Sequence, residues 1–302
     1  MSTFAQLSAS GIALGCLYAL VSLSFVLIMK ATGFFNLLPG AFVLLGAYLT
    51  YTAHIIWGLP FAFAIVLAIV VCSVLGIAAQ RYLFAKASAV GGRHGAGMFA
   101  VLLIGIGTLT IVEALVVSTW GAMTLNLNDP WGLRTITLAG ASITLRDVWV
   151  VGLCSILLLG FWLLVQRTKV GVAMRAMATD SEAARSLGIS PNLISAVAWT
   201  CAAAAAVVAG AMFATEVGGG AMPTLGQVAF AALPALILGG ADSLFGCVAG
   251  GVTLGLIQTY AAGYSNEAFG QGFASTLPWI LLILILLIKP TGLFGSREIR
   301  RA

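Results

Sequence analysis

Acidic side chains are scarce in this chain, so the few that lie in apolar surroundings are the first candidates for chemistry. The 302 residues include nine Asp and Glu. Glu113 lies inside a long apolar run, and Glu216 lies just beyond another. A carboxylate inside a membrane-like segment is costly, so it either binds a polar ligand or reaches the nearest polar boundary. The sequence leaves both interpretations open for Glu113.

Signatures of catalytic and cofactor chemistry are missing from the sequence. The chain has no HExxH zinc motif, no GxSxG nucleophile motif and no GxxxxGK(S/T) phosphate loop. His54 and His94 are isolated, and the five cysteines lie singly in apolar segments without metal or disulfide spacing. We therefore expect no catalytic, cofactor-binding or metal-binding residues in this chain. Any uphill process would draw its energy from a partner or an ion gradient.

A second group of polar residues lies in the middle of the chain, in the sequence RAMATDSEAARSLGISP of residues 175–191. Thr179 followed by Glu182 three residues later fits a capping box. Gly188, with a proline three residues beyond it, fits a helix C-terminus. The pattern predicts about two turns of helix over roughly 180–187.

Charge and apolar side chains within this stretch agree with a short helix. Asp180 would lie in its first turn and Arg185 in its last turn, where each complements the helix dipole. Ala183, Ala184 and Leu187 would form a small apolar face. Because so short a helix is marginal by itself, we interpret it as a surface that another element or a partner covers.

The elements that carry these residues have to cross a membrane. Hydrophobic residues make up 61% of the chain and charged residues 8%, whereas soluble domains have about 45–50% and about 25%. The composition predicts an all-α, polytopic bundle of transmembrane helices in a lipid bilayer, forming a single domain over residues 1–302. The net charge of +5 does not indicate nucleic acid, because no basic run has interleaved aromatic residues.

Nine apolar segments are candidates for membrane spans, which need about 20 residues each. They cover roughly residues 8–29, 35–53, 60–83, 98–118, 147–165, 193–213, 225–240, 243–263 and 275–289. Pro39 and Gly40 interrupt the start of the second, and the seventh is short and contains Pro234. Eight full spans with one broken or re-entrant piece are therefore an open alternative.

The cations predict how the bundle is oriented. With the C-terminal tail inside, threading back through nine spans leaves 12 of the 14 Lys and Arg inside, and only Arg134 and Arg146 outside. Cytoplasmic loops are rich in Lys and Arg, so we expect the N-terminus outside and the C-terminus in the cytoplasm. The loop 119–146 is then external, and the loop 166–192 with its short helix is cytoplasmic.

The external loop contains a hairpin pattern. In LRTITLAGASITLRD, two alternating runs, Arg134–Leu138 and Ser142–Arg146, flank the small residues of 139–141. Such a pattern predicts two short antiparallel strands. They form either a plain structured loop or a docking surface for an external partner.

Several stretches together resemble one family of membrane proteins. Glu182-Ala183-Ala184 followed by Gly188 resembles the first half of the EAA loop of ABC importer permeases, without its usual Ile-x-Leu-Pro tail. Longer stretches resemble the branched-chain, or hydrophobic, amino acid permeases of the LivH type, in consistent order over about residues 11–296. These stretches are Gly15–Tyr48, Arg167–Ile189, Ala235–Leu256 and Lys289–Gly295.

The resemblance implies a permease subunit of an importer in the bacterial inner membrane, with 119–146 in the periplasm. Its partners would be a second homologous permease, two cytoplasmic ATPases that hold ATP and Mg²⁺, and a periplasmic solute-binding protein. The residues expected to couple it to the ATPases are Asp180, Glu182, Ala183, Ala184, Arg185 and Gly188. Branched-chain amino acids are the expected solutes; urea, short amides and aromatic acids are alternatives within the family.

Breaks in the helical pattern are candidates for the solute path, because irregular backbone at membrane depth must be buried by protein or line a cavity. The candidate residues are Asn36, Gly40, Glu113, Glu216, Gly219, Gly239 and Gly240. Tight turns are the alternative for the glycine runs. Glycines four residues apart, as at Gly11 and Gly15 or Gly251 and Gly255, instead predict close helix packing.

Two other function classes are weighed against this one. An ion-coupled secondary transporter or channel would work without ATPases, but the spans carry few of the charges that such proteins use. An intramembrane enzyme would need a paired nucleophile and base, which the sequence does not contain.

Overall fold

The computed structural model describes most of the chain as helix. The described residues are 2–86, 96–127, 130–132, 134–138, 141–179, 181–216, 220–240, 243–264, 273–289 and 292–293. The elements, in chain order, are α1 (Ser2–Thr32), α2 (Leu38–Tyr51), α3 (Phe61–Ala79), α4 (Ala96–Trp120), β1 (Thr135–Leu138), β2 (Ala141–Thr144), α5 (Leu145–Arg167), α6 (Lys169–Thr179), α7 (Ser181–Ser186), α8 (Pro191–Ala214), α9 (Val228–Ala231), α10 (Leu233–Gly239), α11 (Leu244–Tyr264) and α12 (Phe273–Ile288). Turns of π-helix extend α2 (Thr52–Ile56) and α3 (Gln80–Phe84), and a 3₁₀ turn (Pro223–Gln227) precedes α9.

The polytopic all-α architecture predicted from composition is confirmed. Within the described residues, seven helices are long and apolar enough to cross a membrane, and two shorter apolar segments, Pro223–Gly239 and Phe273–Ile288, accompany them. The second predicted span is continuous over Leu38–Ile56. The seventh is broken, because α10 begins at Leu233 and Pro234 lies in its first turn, where a missing N–H costs no helical hydrogen bond.

Residues cluster into two compact units, of which unit 2 comprises Ser24–Pro130 and Leu157–Ala229. In this unit α2 is surrounded by α3, α4, α8 and the 3₁₀ turn. A Cβ atom at Gly46 of α2 would lie 2.6 Å from Val207 Cα of α8. The two backbones therefore touch, which in lipid provides the close packing that apolar side chains alone do not.

Unit 1 comprises Met1–Leu23, Trp131–Ile156 and Phe230–Ala302. Here the first half of α1 packs on α11 through glycines. A Cβ atom at Gly15 would lie 2.5 Å from Val252 Cα, and one at Gly251 would lie 2.6 Å from the Gly15 carbonyl oxygen. The predicted close helix packing is confirmed at these positions.

The predicted hairpin is confirmed in unit 1. β1 and β2 pair antiparallel, with Thr135 opposite Thr144. The second strand ends earlier than expected, because Leu145 and Arg146 already belong to the first turn of α5. The Asp147 N–H donates to Thr144 Oγ1 at 3.2 Å, so Thr144 caps α5 and fixes the point at which strand becomes helix.

A buried ion pair joins this capped helix start to α1. Arg146 Nη1 lies 3.3 Å from Asp147 Oδ1, and Ser10 Oγ donates to Asp147 Oδ2 at 3.0 Å. Both charged side chains are buried. Hydrogen bonding of a buried charge offsets its desolvation, so this ion pair holds the start of α5 against α1 in unit 1.

Candidate functional site

The predicted cytoplasmic segment folds as two helices, α6 and α7, between the long helices α5 and α8. The sequence predicted only one, over 180–187. The structure ends α6 at Thr179 and begins α7 at Ser181. The assignment of Thr179 as the N-cap was therefore wrong, because that residue belongs to the last turn of the preceding helix. Asp180, between the two helices, lies outside the described residues.

α6 is held against the end of α5 by backbone contact. A Cβ atom at Gly171 would overlap the carbonyl oxygens of Leu164 and Val165. The Arg175 guanidinium donates a hydrogen bond to the Val165 carbonyl. Two side chains on the inner face of α6, Met174 and Met177, are buried. α6 therefore fixes the position from which α7 starts.

The C-terminus of α7 has the geometry that the sequence predicted. Gly188 adopts φ +82°, its N–H donates to the Arg185 carbonyl at 2.9 Å, and the Ile189 N–H donates to the Ala184 carbonyl at 3.1 Å. These two bonds and the left-handed glycine make a Schellman motif, which satisfies the last carbonyls of the helix. Gly188 as the residue that ends α7 is confirmed.

The apolar residues of the predicted face differ in burial. Ala184 is buried at 2% exposure, whereas Leu187 is 80% exposed. Ala183 and Arg185 are exposed as well, and Glu182 lies within the helix. Ala184 packs inward, whereas Ala183 and Leu187 are left uncovered by the described part of the chain, so an apolar face that a partner covers stays a prediction.

A second group of predicted residues meets where α1 gives way to α2. Asn36 Oδ1 accepts a hydrogen bond from the Leu38 N–H at 3.0 Å, which caps the start of α2. The Asn36 side chain is 3% exposed, and its Nδ2 has no hydrogen-bond partner within the described residues. A Cβ atom at Gly105 of α4 would lie 2.5 Å from Asn36 Oδ1, so the break sits against α4.

Gly40, one turn further along α2, faces the 3₁₀ turn. A Cβ atom at Gly40 would lie 2.7 Å from the Gly226 carbonyl oxygen. A Cβ atom at Gly226 would in turn lie 3.4 Å from Glu113 Oε1. The same Cβ atom would lie 3.3 Å from the Gly40 carbonyl oxygen, so the structure brings Gly40 and Glu113 together around Gly226, a proximity that no pattern in the sequence predicted.

An open cleft of about 470 Å³ lies beside Glu113, between α4 and the 3₁₀ turn. Its walls combine apolar and polar side chains. They are Thr110, Glu113, Ala114, Val117, Ser118, Pro223, Thr224 and Gln227. A mostly apolar cleft of this size with a few convergent polar groups is typical of small-molecule sites.

Four polar residues of this cleft were not predicted as site residues: Thr110, Ser118, Thr224 and Gln227. The sequence contained one indication of the α4 side of the cleft: Thr110, Ala114 and Ser118 are spaced four residues apart and so lie on one helix face. The pairing of α4 with the 3₁₀ turn was not available, because no periodic pattern links segments so far apart in sequence.

The remaining predicted path residues lie elsewhere. Glu216 is exposed, just after the C-terminus of α8. In unit 1, Gly239 ends α10 against the backbone of Gly246, and Gly240 follows with φ +95°. Gly219 lies outside the described residues. Backbone packing accounts for the glycines at 239 and 240, and their place in a solute path stays a prediction.

No group of three or more His, Cys, Asp or Glu side chains within the described residues comes together to hold a metal ion. The combination of helices long enough to span a membrane, an apolar segment divided into short helices and a partly polar cleft is that of a membrane transport protein. A family model described as "branched-chain amino acid transport system / permease component" matches residues 7–288. The chain belongs to this family, and it is a membrane permease.

Curated relatives match the chain along nearly its whole length. It is 27% identical over 313 residues to the high-affinity branched-chain amino acid transport system permease protein LivH of Escherichia coli strain K12, covering 99% of this chain and 97% of LivH. It is 26% identical over 311 residues to the corresponding protein BraD of Pseudomonas aeruginosa, covering 99% and 98%.

A solved structure has a similar fold. PsaBC from Streptococcus pneumoniae, determined in complex with Fab, superposes with a TM-score of 0.50 at 15% sequence identity, covering 96% of this chain and 93% of that chain. At this identity the likeness concerns the fold alone.

Proposed function

We propose that this chain is the permease subunit of an ABC importer that carries branched-chain or other hydrophobic amino acids across the bacterial inner membrane. The observation that carries the proposal is the family match over residues 7–288. LivH and BraD, which cover almost the whole chain, are named as branched-chain amino acid permeases. The chain itself has no phosphate-binding loop, so ATP and Mg²⁺ belong to partner subunits, and this subunit is not an enzyme.

The α6–α7 segment is proposed as the contact with two cytoplasmic ATPases. Closure of the ATPases on ATP would move 168–190, and the spans would then switch from inward to outward access. The exposed Leu187 supports this role, because a large apolar side chain at the tip of a capped helix gains free energy when a partner covers it. A second homologous permease would complete the pair.

We propose that the hairpin of β1 and β2 lies on the external side of the membrane. The cation distribution supports an external N-terminus and an external loop 119–146, because only Arg134 and Arg146 fall on that side. A periplasmic solute-binding protein would dock there and deliver the solute. β1 presents exposed side chains, among them Ile136 at 44% exposure.

The decisive experiment is co-purification of the tagged chain from membranes, followed by uptake of radiolabelled leucine. We expect the ATPase subunits to co-purify and uptake to require ATP. Gradient-driven uptake by the chain without ATPases would instead make it a secondary transporter, the alternative class.

A matched pair of variants tests the coupling assignment. Glu182→Lys reverses a charge within α7, and we expect it to abolish uptake while the protein still inserts. Ala85→Lys adds the same cation at an exposed position outside residues 168–190 and should leave uptake within about twofold. Equal uptake by both variants would remove Glu182 from the coupling surface.

A further inference from the structure

On its α4 side, the cleft beside Glu113 presents the polar side chains Thr110, Glu113 and Ser118, all of which act there as hydrogen-bond acceptors. Thr110 Oγ1 donates its proton to the Ile106 carbonyl at 3.1 Å. Ser118 Oγ donates to the Leu115 carbonyl at 2.9 Å. A hydroxyl has one proton and two lone pairs. Because each of these hydroxyls donates its proton within its own helix, its oxygen can only accept hydrogen bonds from a molecule in the cleft.

Glu113 adds a carboxylate to these acceptors, without a cation to neutralise it. Among the described residues, no Lys or Arg forms an ion pair with Glu113, in contrast to Asp147 with its partner Arg146. Glu113 Oε1 is directed at Gly226, where a Cβ atom would lie 3.4 Å away. The carboxylate thus lies against the 3₁₀ turn, about 10 Å along α4 from Trp120 at 1.5 Å per residue.

Lipid is a poor occupant for such a cleft. An acidic side chain within a membrane helix is costly, and hydrocarbon offers no donor to the surrounding oxygens. The occupant should carry several hydrogen-bond donors and a positive charge. A primary ammonium group has three donors and no acceptor, which complements Glu113, Thr110 and Ser118 together.

We infer that this cleft binds a primary ammonium group, with the Glu113 carboxylate as its counter-ion and the hydroxyls of Thr110 and Ser118 as further acceptors. Thr224 and Gln227, on the facing 3₁₀ turn, supply a hydroxyl and an amide that can donate to the carboxylate of the same molecule. The apolar walls accept an aliphatic side chain. Resting on the proposed function, the ammonium is that of the amino acid solute; the headgroup of phosphatidylethanolamine is the other source of this chemistry.

The charge preference of the cleft can be measured without knowing the solute. The full chain carrying Ser118→Cys is placed in phosphatidylcholine nanodiscs and labelled with two small thiosulfonates, one bearing trimethylammonium and one bearing sulfonate. The native cysteines are all buried, so the introduced thiol dominates. We expect the cationic reagent to react about tenfold faster relative to its intrinsic rate, because a nearby carboxylate concentrates cations.

Matched variants assign that preference to Glu113. Adding Glu113→Gln should reduce the rate ratio to that of Thr119→Cys, an exposed neighbour outside the cleft lining, whereas Glu113→Asp should keep most of it. Three results would overturn the inference. The thiol introduced at position 118 could react equally with both reagents, Glu113→Gln could leave the ratio unchanged, or neither reagent could reach position 118 while both label position 119.

Protection experiments identify the source of the ammonium group. Leucine should slow labelling of the Ser118→Cys variant, and 4-methylpentanoate, which has the same aliphatic chain without the amine, should not. Protection by added phosphatidylethanolamine without protection by leucine would overturn the solute assignment and make the headgroup the ligand. Equal effects of leucine and 4-methylpentanoate would overturn the ammonium site itself.

These outcomes are separable from the proposed function. The labelling ratio needs neither ATPases nor uptake, so a chain that fails to co-purify with ATPases can still show the acceptor-rich cleft. Conversely, a normal ATP-dependent importer whose Ser118→Cys variant shows no charge preference in labelling would retain the proposed function and lose this site.

Discussion

At the scale of single residues, the glycines of unit 1 allow two helices to pack backbone to backbone because they have no side chain. Gly15 of α1 and Gly251 of α11 meet backbone to backbone, and the atoms nearest to a Cβ at either position belong to the main chain. Main-chain atoms cannot rotate away as the end of a long side chain can. By contrast, nothing lies within 4 Å of a Cβ at Gly152 of α5.

Gly15→Ala should therefore destabilise the protein, whereas Gly152→Ala should not. Overpacking of a filled contact costs about 1–3 kcal/mol, and replacing an uncrowded helical glycine by alanine gains up to about 1 kcal/mol. Thermal unfolding of both variants in one detergent, followed by tryptophan fluorescence, compares them. Similar melting temperatures for both would show that α1 and α11 do not touch at Gly15.

Residue spacing predicted these contacts but not the neighbours of Glu113. Small residues four apart lie on one helix face whatever the rest of the fold, so their role follows from local geometry. Glu113 meets Gly226 only because α4 and the 3₁₀ turn pack together in unit 2. That pairing depends on the complete bundle, which is why Thr224 and Gln227 could not be foreseen.

At the scale of elements, α7 is defined more sharply at its end than at its start. Its C-terminus depends on one glycine with φ +82°, a local signal that the sequence displays. Its N-terminus depends on how far α6 continues. α6 was missed because its polar and charged residues between two spans suggested a loop, whereas Gly171 and Arg175 attach it to the end of α5.

Variants at Gly188 should separate backbone from side-chain effects in α7. Nothing lies within 4 Å of a Cβ there, so any loss comes from the left-handed backbone, which costs other residues about 1–2 kcal/mol. Asparagine tolerates this conformation and valine does not. We expect Gly188→Asn to keep most leucine uptake and Gly188→Val to lose most of it at equal membrane abundance. Equal loss of uptake in both variants would show that a partner contacts Gly188 directly and leaves no room for a side chain there.

At the scale of the whole molecule, hydrophobicity predicted all seven long apolar helices of the described residues, and each of the nine predicted segments corresponds to helical chain in the structure. Length was the weaker prediction. Phe273–Ile288 is shorter than a full span, and Pro223–Gly239 is divided into a 3₁₀ turn and two helices. An apolar run predicts that a segment enters the membrane. Where its helix breaks depends on neighbouring segments, because they must provide hydrogen-bond partners for the freed backbone groups.

The predicted orientation is tested with two exposed positions, one in each loop. Thr137→Cys in β1 should react with a membrane-impermeant maleimide on intact spheroplasts. Leu187→Cys, just after α7, which replaces a side chain that is 80% exposed, should react only after the membrane is permeabilised. The opposite pattern would invert the bundle, place α7 outside the cell and exclude its proposed contact with ATPases.

The composition of unit 1 also sets an order of events during synthesis. Its three stretches come from the beginning, the middle and the end of the chain, whereas unit 2 is complete once Ala229 has been made. During synthesis, the glycine face of α1 has no packing partner until α11 has been made and inserted. Contacts so distant in sequence form slowly, and exposed packing surfaces invite incorrect association in the meantime. A chain interrupted before α11 would therefore contain all of unit 2 and an incomplete unit 1, in which Gly15 lacks its packing partner.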